Sequence, residues 1–312
     1  MSAVEPAARP HSLRRLLAVV APVAYGVALG VSIAVDGLPL ARDQLFLWLL
    51  LGMAAFSVAA WRSWGALLLE WLPFLALLVA YDYLRGAVSV PTEQAHIVPQ
   101  VRFDEWLTGG PLPTVWLQER LFDAWSLQWY DYASWVVYMS HFFAVWTVAA
   151  VLWRVAHHRF QRYVVLTVTL TVGAFLTYWL WPAQPPWLAG QEGTIPEVAR
   201  VVPVVWGALG VSSAASIWEG HGDLVNLVAA MPSLHAAYPF MLMLFFWSAG
   251  WWVRAGLFAY AVAMGFVLVY GGEHFALDIF VGWAYALIAF GLVWGGGQLL
   301  ARRRQRASVP SG

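Results

Sequence analysis

The sequence predicts an all-α fold, a polytopic membrane helix bundle of about eight transmembrane helices, and three observations carry that expectation. The 312-residue chain is 61% hydrophobic and only 11% charged, a composition foreign to soluble proteins of this length. Apolar runs recur between short polar breaks, and each approaches the roughly twenty residues needed to cross about 30 Å of hydrocarbon. Aromatic residues make up 16% of the chain, with 21 Trp among them, which suits a protein anchored at two lipid-water interfaces.

The spans follow in chain order. The first, 16 to 35, comes after Arg9, Arg14 and Arg15; its apolar stretch is too long for a signal peptide and lacks an A-x-A site, so it reads as an uncleaved helix. The second, 44 to 61, turns at Arg62-Ser63 into the third, 65 to 84, which closes on Tyr81-Asp82-Tyr83-Leu84-Arg85-Gly86. The fourth and fifth, 134 to 153 and 163 to 181, flank a basic break that holds Arg154, Arg159 and Arg162. The sixth, 233 to 249, opens with Met231-Pro232-Ser233-Leu234-His235, where Pro is suited to a first helical turn. Gly250 to Arg254 link it to the seventh, 253 to 271, and Gly271-Gly272-Glu273-His274 lead into the eighth, 275 to 297. No internal repeat is visible.

Charge placement predicts orientation. With eight spans both termini share one side, and twelve of the seventeen Arg fall there: 9, 14, 15, 62, 154, 159, 162, 254, 302, 303, 304 and 306. The rule that basic loops stay inside then puts both termini in the cytoplasm of a multi-pass cell-membrane protein. Two outer segments, 86 to 133 and 182 to 232, are rich in Pro, Gly, Trp and acids. Amphipathic or re-entrant pieces are expected within them, around Pro113 to Trp125 and Pro196 to Leu209.

Composition also excludes chemistry. The basic residues are all Arg, so a Lys Schiff base or P-loop Lys is ruled out, and zero Cys removes thiolate metal sites and Cys-dependent phosphatases. A net charge of +0 argues against a nucleic-acid partner. No cofactor and no metal is expected.

The chemistry-bearing residues collect at the outer helix ends. His274 and Asp278 are four apart, which on one helical face lets the carboxylate orient the imidazole and leaves its other nitrogen free to attack. His235 lacks a carboxylate and is the natural acid for a departing oxygen. Because Pro232 sits at a helix start, the amides of Ser233 and Leu234 are candidate phosphate donors, the alternative being an ordinary helix start in which Ser233 is the cap. Ionisable residues at membrane depth mark function by default.

Met231-Pro-Ser-Leu-His235 and Gly272-Glu-His274-Phe-Ala-Leu-Asp278 resemble the second and third signatures of the type 2 phosphatidic acid phosphatase superfamily. With Pro182-Ala-Gln-Pro-Pro-Trp187 upstream, the form is similar to the branch of the fungal inositol phosphorylceramide synthases and their bacterial relatives. The resemblance spans about 65 to 297 and implies a six-helix catalytic core, preceded by a tail and two accessory helices in 1 to 64 and followed by a basic tail in 298 to 312. It implies metal-independent, two-step transfer with His274 as the nucleophile that forms a phosphohistidine, Asp278 as its orienting partner and His235 as acid and then base.

The chain departs from that pattern where phosphate is held. Val267 and Leu268 stand where the third signature has Ser-Arg, and the first signature's Lys and Arg-Pro are absent, with Leu78 at the Lys position if Arg85-Gly86 replaces Arg-Pro. Developing charge on a phosphoryl group still needs donors, so Arg85 is the expected replacement, with Arg102 and Arg120 as lesser candidates. Asp82, Tyr270, Glu273 and His141 are further candidate substrate contacts; for His141 a core hydrogen bond is the favoured reading.

The predicted enzyme takes a lipid phosphate or phospholipid at the outer leaflet. Water as acceptor makes it a lipid-phosphate or polyprenyl-(pyro)phosphate phosphatase; inositol, a sugar or a lipid hydroxyl makes it a transferase, toward which the resemblance leans. A proton-coupled transporter is disfavoured by the missing repeats and one-sided polar cluster. An inactive scaffold of the same fold is the remaining alternative.

Overall fold

The structure is a computed structural model that describes residues 10–36, 42–57, 69–72, 76, 92–210 and 227–307. It is helical, as its composition requires. Four helices among the described residues are long and apolar enough to cross a membrane. Most of the expected third span lies outside the described residues, as do Asp82 and Arg85.

The chain divides into two compact units. In the first, α1 (Pro10–Asp36) packs on α2 (Arg42–Ser57). Tyr25 of α1 meets Trp48 and Phe56 of α2 edge to face, at centroid distances of 5.8 and 6.2 Å. A Cβ at Gly52 would stand 3.0 Å from that tyrosine ring, so a glycine allows the helices to approach here.

The second unit carries everything that follows. Two short helices come first, α3 (Val98–Thr108) and α4 (Pro113–Leu121), each with Pro in its first turn. The long helices α5 (Trp129–Val155) and α6 (His157–Leu180) form an antiparallel pair joined through Ala156. Two more short helices, α7 (Pro186–Gln191) and α8 (Val201–Ala208), precede α9 (Leu234–Phe245), α10 (Trp251–Tyr270) and α11 (Ala276–Ala307). Helix α9 packs on both α10 and α11, which in turn pack on α5 and α6. The short pieces α4 and α8 fall where amphipathic segments were expected, and α8 buries Val201, Val202, Val205 and Trp206.

Two expected boundaries are corrected. The sixth span is a 12-residue helix, about 18 Å long, followed by a tighter turn at Trp247–Ala249 and by Gly250 at φ 107°. It is too short to cross alone because the Ser-Ala-Gly sequence ends it where hydrophobicity alone would continue. At the other extreme α11 runs ten residues past the expected 297, since Leu, Ala, Arg and Gln are good helix formers and nothing after Gly297 breaks the helix before Ala307.

The segment Pro182 to Trp187 is a strap. Ala183 donates to the Val228 carbonyl at 2.7 Å and accepts from Ala230 at 3.2 Å, while His96 donates to the Pro182 carbonyl at 2.8 Å. Gln184 is 3% exposed and its amide group reaches the Thr92 carbonyl and Glu192. Trp187 then donates to the Gly272 carbonyl at 3.0 Å, so the strap ends on the turn that holds His274.

Candidate active site

The turn between α10 and α11 is built by backbone demands. Gly272 has φ 74°, and a Cβ there would lie 2.6 Å from the Ala199 carbonyl, so both conformation and space select glycine. Gln118 of α4 locks the same turn: its side-chain amide donates to the Tyr270 and Ala199 carbonyls at 2.8 and 2.9 Å, and its carbonyl oxygen accepts from the Ala199 amide at 2.9 Å.

His274 lies in this turn, two residues before α11 begins, and Asp278 is the third residue of the helix. The expectation that both stand on one helical face is therefore corrected. They meet because the Asp278 carboxylate folds back to accept the Phe275 amide at 3.0 Å, which also brings its Oδ2 to 3.4 Å from His274 Nδ1. Asp278 is fully buried and His274 is 6% exposed.

His235 enters from the second residue of α9. Ser233 caps that helix, its hydroxyl accepting from the Ala236 amide, and its own amide donates to the Asp278 carbonyl at 3.0 Å. The Ser233 amide is thus committed to protein, contrary to its expected role as a free phosphate donor, because the two motif segments are bonded to each other. The His235 ring stands 5.7 Å from that of His274 and 4.0 Å from that of His141 on α5. Tyr138 stacks on His235 at 5.0 Å, and Phe142 meets it edge-on. Four buried polar atoms here have no hydrogen-bond partner among the described residues: His141 Nδ1, His235 Nε2, His274 Nδ1 and Asp278 Oδ1. The core hydrogen bond expected for His141 is absent at Nδ1.

The other expected contacts are engaged elsewhere. Tyr270 donates its hydroxyl to Asp131 and is 1% exposed. Glu273 forms a two-point pair with Arg200, at 3.1 and 3.0 Å. Arg120 is exposed, stacked 4.3 Å over Trp116 and bonded to its carbonyl. Arg102 is exposed on α3. Leu234 is buried at the start of α9.

Sequence reasoning missed three residues that position the site. Arg200, 73 positions before Glu273, grips the turn and lies 4.5 Å over Trp187. Gln118 is the second. Asp104 is the third: fully buried, it accepts from the amides of Ala276 and Leu277 at 3.0 and 3.2 Å and so caps α11 from a distant helix. Burial raises its pKa to about 6, although the two amide bonds oppose the rise. None of the three sits in a recognisable motif, and only chain folding brings them to the turn.

An imidazole faced by a buried carboxylate, beside a second imidazole without one, is competent for nucleophilic attack and proton transfer at neighbouring atoms. Among the described residues no group of His, Asp and Glu is arranged to hold a metal ion. A relative from Bacteroides thetaiotaomicron, phosphoinositol dihydroceramide synthase, is 21% identical to the chain over 70% of its length and 74% of the relative's. No solved structure matches significantly. The family model of the PAP2 superfamily matches residues 101–292, which contain His141, His235, His274 and Asp278, and the chain belongs to that superfamily of membrane lipid phosphatases and phosphotransferases.

Proposed function

We propose that the protein transfers a phosphoryl or phospho-headgroup of a lipid through a phosphohistidine at His274, on the extracytoplasmic face of the membrane. The observation that carries this reading is the pairing of His274 Nδ1 with Asp278 at 3.4 Å, beside the His235 ring. With Nδ1 turned to the carboxylate, Nε2 is the attacking atom. Its lone pair bonds to phosphorus as the ester P–O bond breaks, and the departing oxygen takes its electron pair and a proton from His235. In the second half an acceptor oxygen attacks phosphorus and gives its proton to His235, and the N–P electron pair returns to His274.

The name of the Bacteroides relative supports transfer over hydrolysis, with a phosphoinositol lipid as donor and a lipid alcohol as acceptor. Arg85 is the cation proposed for the phosphoryl oxygens. The core at 65 to 297 is proposed as the catalytic domain, with both termini cytoplasmic, from the distribution of Arg.

The test is turnover of labelled lipid phosphates by purified protein, with and without inositol or lipid alcohols, reading free phosphate against new lipid. Acid-labile, base-stable label on the wild type and none on His274→Ala is the expected result. Turnover surviving His274→Ala would sink the proposal. Protease access to a C-terminal tag in intact cells would overturn the orientation.

A further inference from the structure

Resting on that reading, we propose that His141 is a specificity-determining residue, which binds the hydroxyl of the lipid alcohol that leaves in the first half-reaction and the one that accepts in the second. The His235 ring neighbours two other histidine rings, its centroid 4.0 Å from that of His141 and 5.7 Å from that of His274. In a two-step transfer the leaving and attacking oxygens occupy one place beside the residue that handles their proton. His141 flanks that residue.

The surroundings of His141 say what kind of group it meets. Its ring touches Phe142 edge-on at 5.1 Å and stacks on Tyr238 at 5.4 Å. The polar groups nearby are already matched: the Tyr238 hydroxyl with Thr171 at 2.6 Å, and Ser140 with the Tyr260 hydroxyl at 2.7 Å. His141 Nδ1 is buried and unpartnered among the described residues, which is costly in an aromatic setting unless a ligand atom pairs with it. A phenylalanine would fill the same space without that cost. A neutral hydroxyl attached to apolar chains fits these walls, whereas a phosphate would bring charge among the rings of Phe142, Tyr138 and Tyr238.

The experiment loads His274 of the full-length protein with a labelled phosphoryl group from p-nitrophenyl phosphate, then chases with buffer alone or with a long-chain 1,3-diol. Release as free phosphate reads hydrolysis; release as labelled lipid reads transfer. For His141→Phe and His141→Ala, the ratio of transfer to hydrolysis is expected to fall at least tenfold, and His141→Gln recovers part of it. Equal loss of both routes, no change in their ratio, or a wild type that only hydrolyses would overturn the assignment. A wild type that never carries label at His274 instead removes the phosphohistidine reading beneath it, so the two failures are distinct.

Discussion

The Ser233 amide donates to the Asp278 carbonyl at 3.0 Å, so the segment that carries His235 and the segment that carries His274 are bonded backbone to backbone. The distance between the two histidines is therefore set by one main-chain contact and by the close crossing of α9 and α11 around it.

That crossing depends on Gly282. A Cβ there would lie 2.4 Å from the Ser233 carbonyl oxygen, a main-chain atom that cannot swing aside. Gly282→Ala is expected to cost about 1–3 kcal/mol through forced separation of the helices. Thermal unfolding in detergent measures this, and a wild-type melting temperature would show the crossing to be slack.

Asp278→Asn keeps the side-chain shape and an oxygen for the Phe275 amide but removes the charge opposite His274. Turnover is expected to fall about 10²–10⁴-fold, as for loss of a general-acid or orienting group, with little change in melting temperature. His235→Ala is expected to fall in the same range. Full activity in either variant would remove that residue from the mechanism.

Asp104 predicts a pH dependence of stability. Its pKa is raised to about 6 in the folded protein against the ordinary aspartate value of 3.8, so the folded state binds the proton more tightly than the unfolded state. Its contribution to stability is full below about pH 3.8 and is lost as pH rises through about 6. Measured against Asp104→Asn, the wild type should therefore lose stability across that window; parallel curves would contradict the assignment.

Arg200 and Glu273 form a largely buried pair, with side-chain exposures of 22% and 9%. Arg200→Met leaves the Glu273 carboxylate without its partner, and a loss of about 1.5–3 kcal/mol is expected, partly restored by adding Glu273→Gln. A double-mutant cycle on unfolding free energies measures the coupling, and strictly additive effects would show the contact to be inert.

Much of the site was legible in the sequence because its parts are local. The Pro-Ser-Leu-His start of α9 and the Glu-His-Phe-Ala-Leu-Asp turn each hold their candidate residues within a few positions. Even so, His274 and Asp278 meet for a different reason than the helical spacing implies: the carboxylate caps its own helix start and the histidine stands outside it. Asp104, Gln118 and Arg200 were not legible at all. Each acts across a chain separation of 73 residues or more, from Arg200 to Glu273, up to 173, from Asp104 to Leu277.

By itself the sequence determined the membrane environment of the protein and singled out the residues proposed to react. Composition and hydrophobic run length are sums along the chain, and a short motif needs no distant partner. Only the tertiary structure decided how those groups face one another: that the Ser233 amide is already bonded, that Tyr270 and Glu273 are held by Asp131 and Arg200, and that His235 has both His141 and His274 as ring neighbours. Helix crossings fix such relations through close contacts between residues far apart in the chain, and no local pattern encodes them.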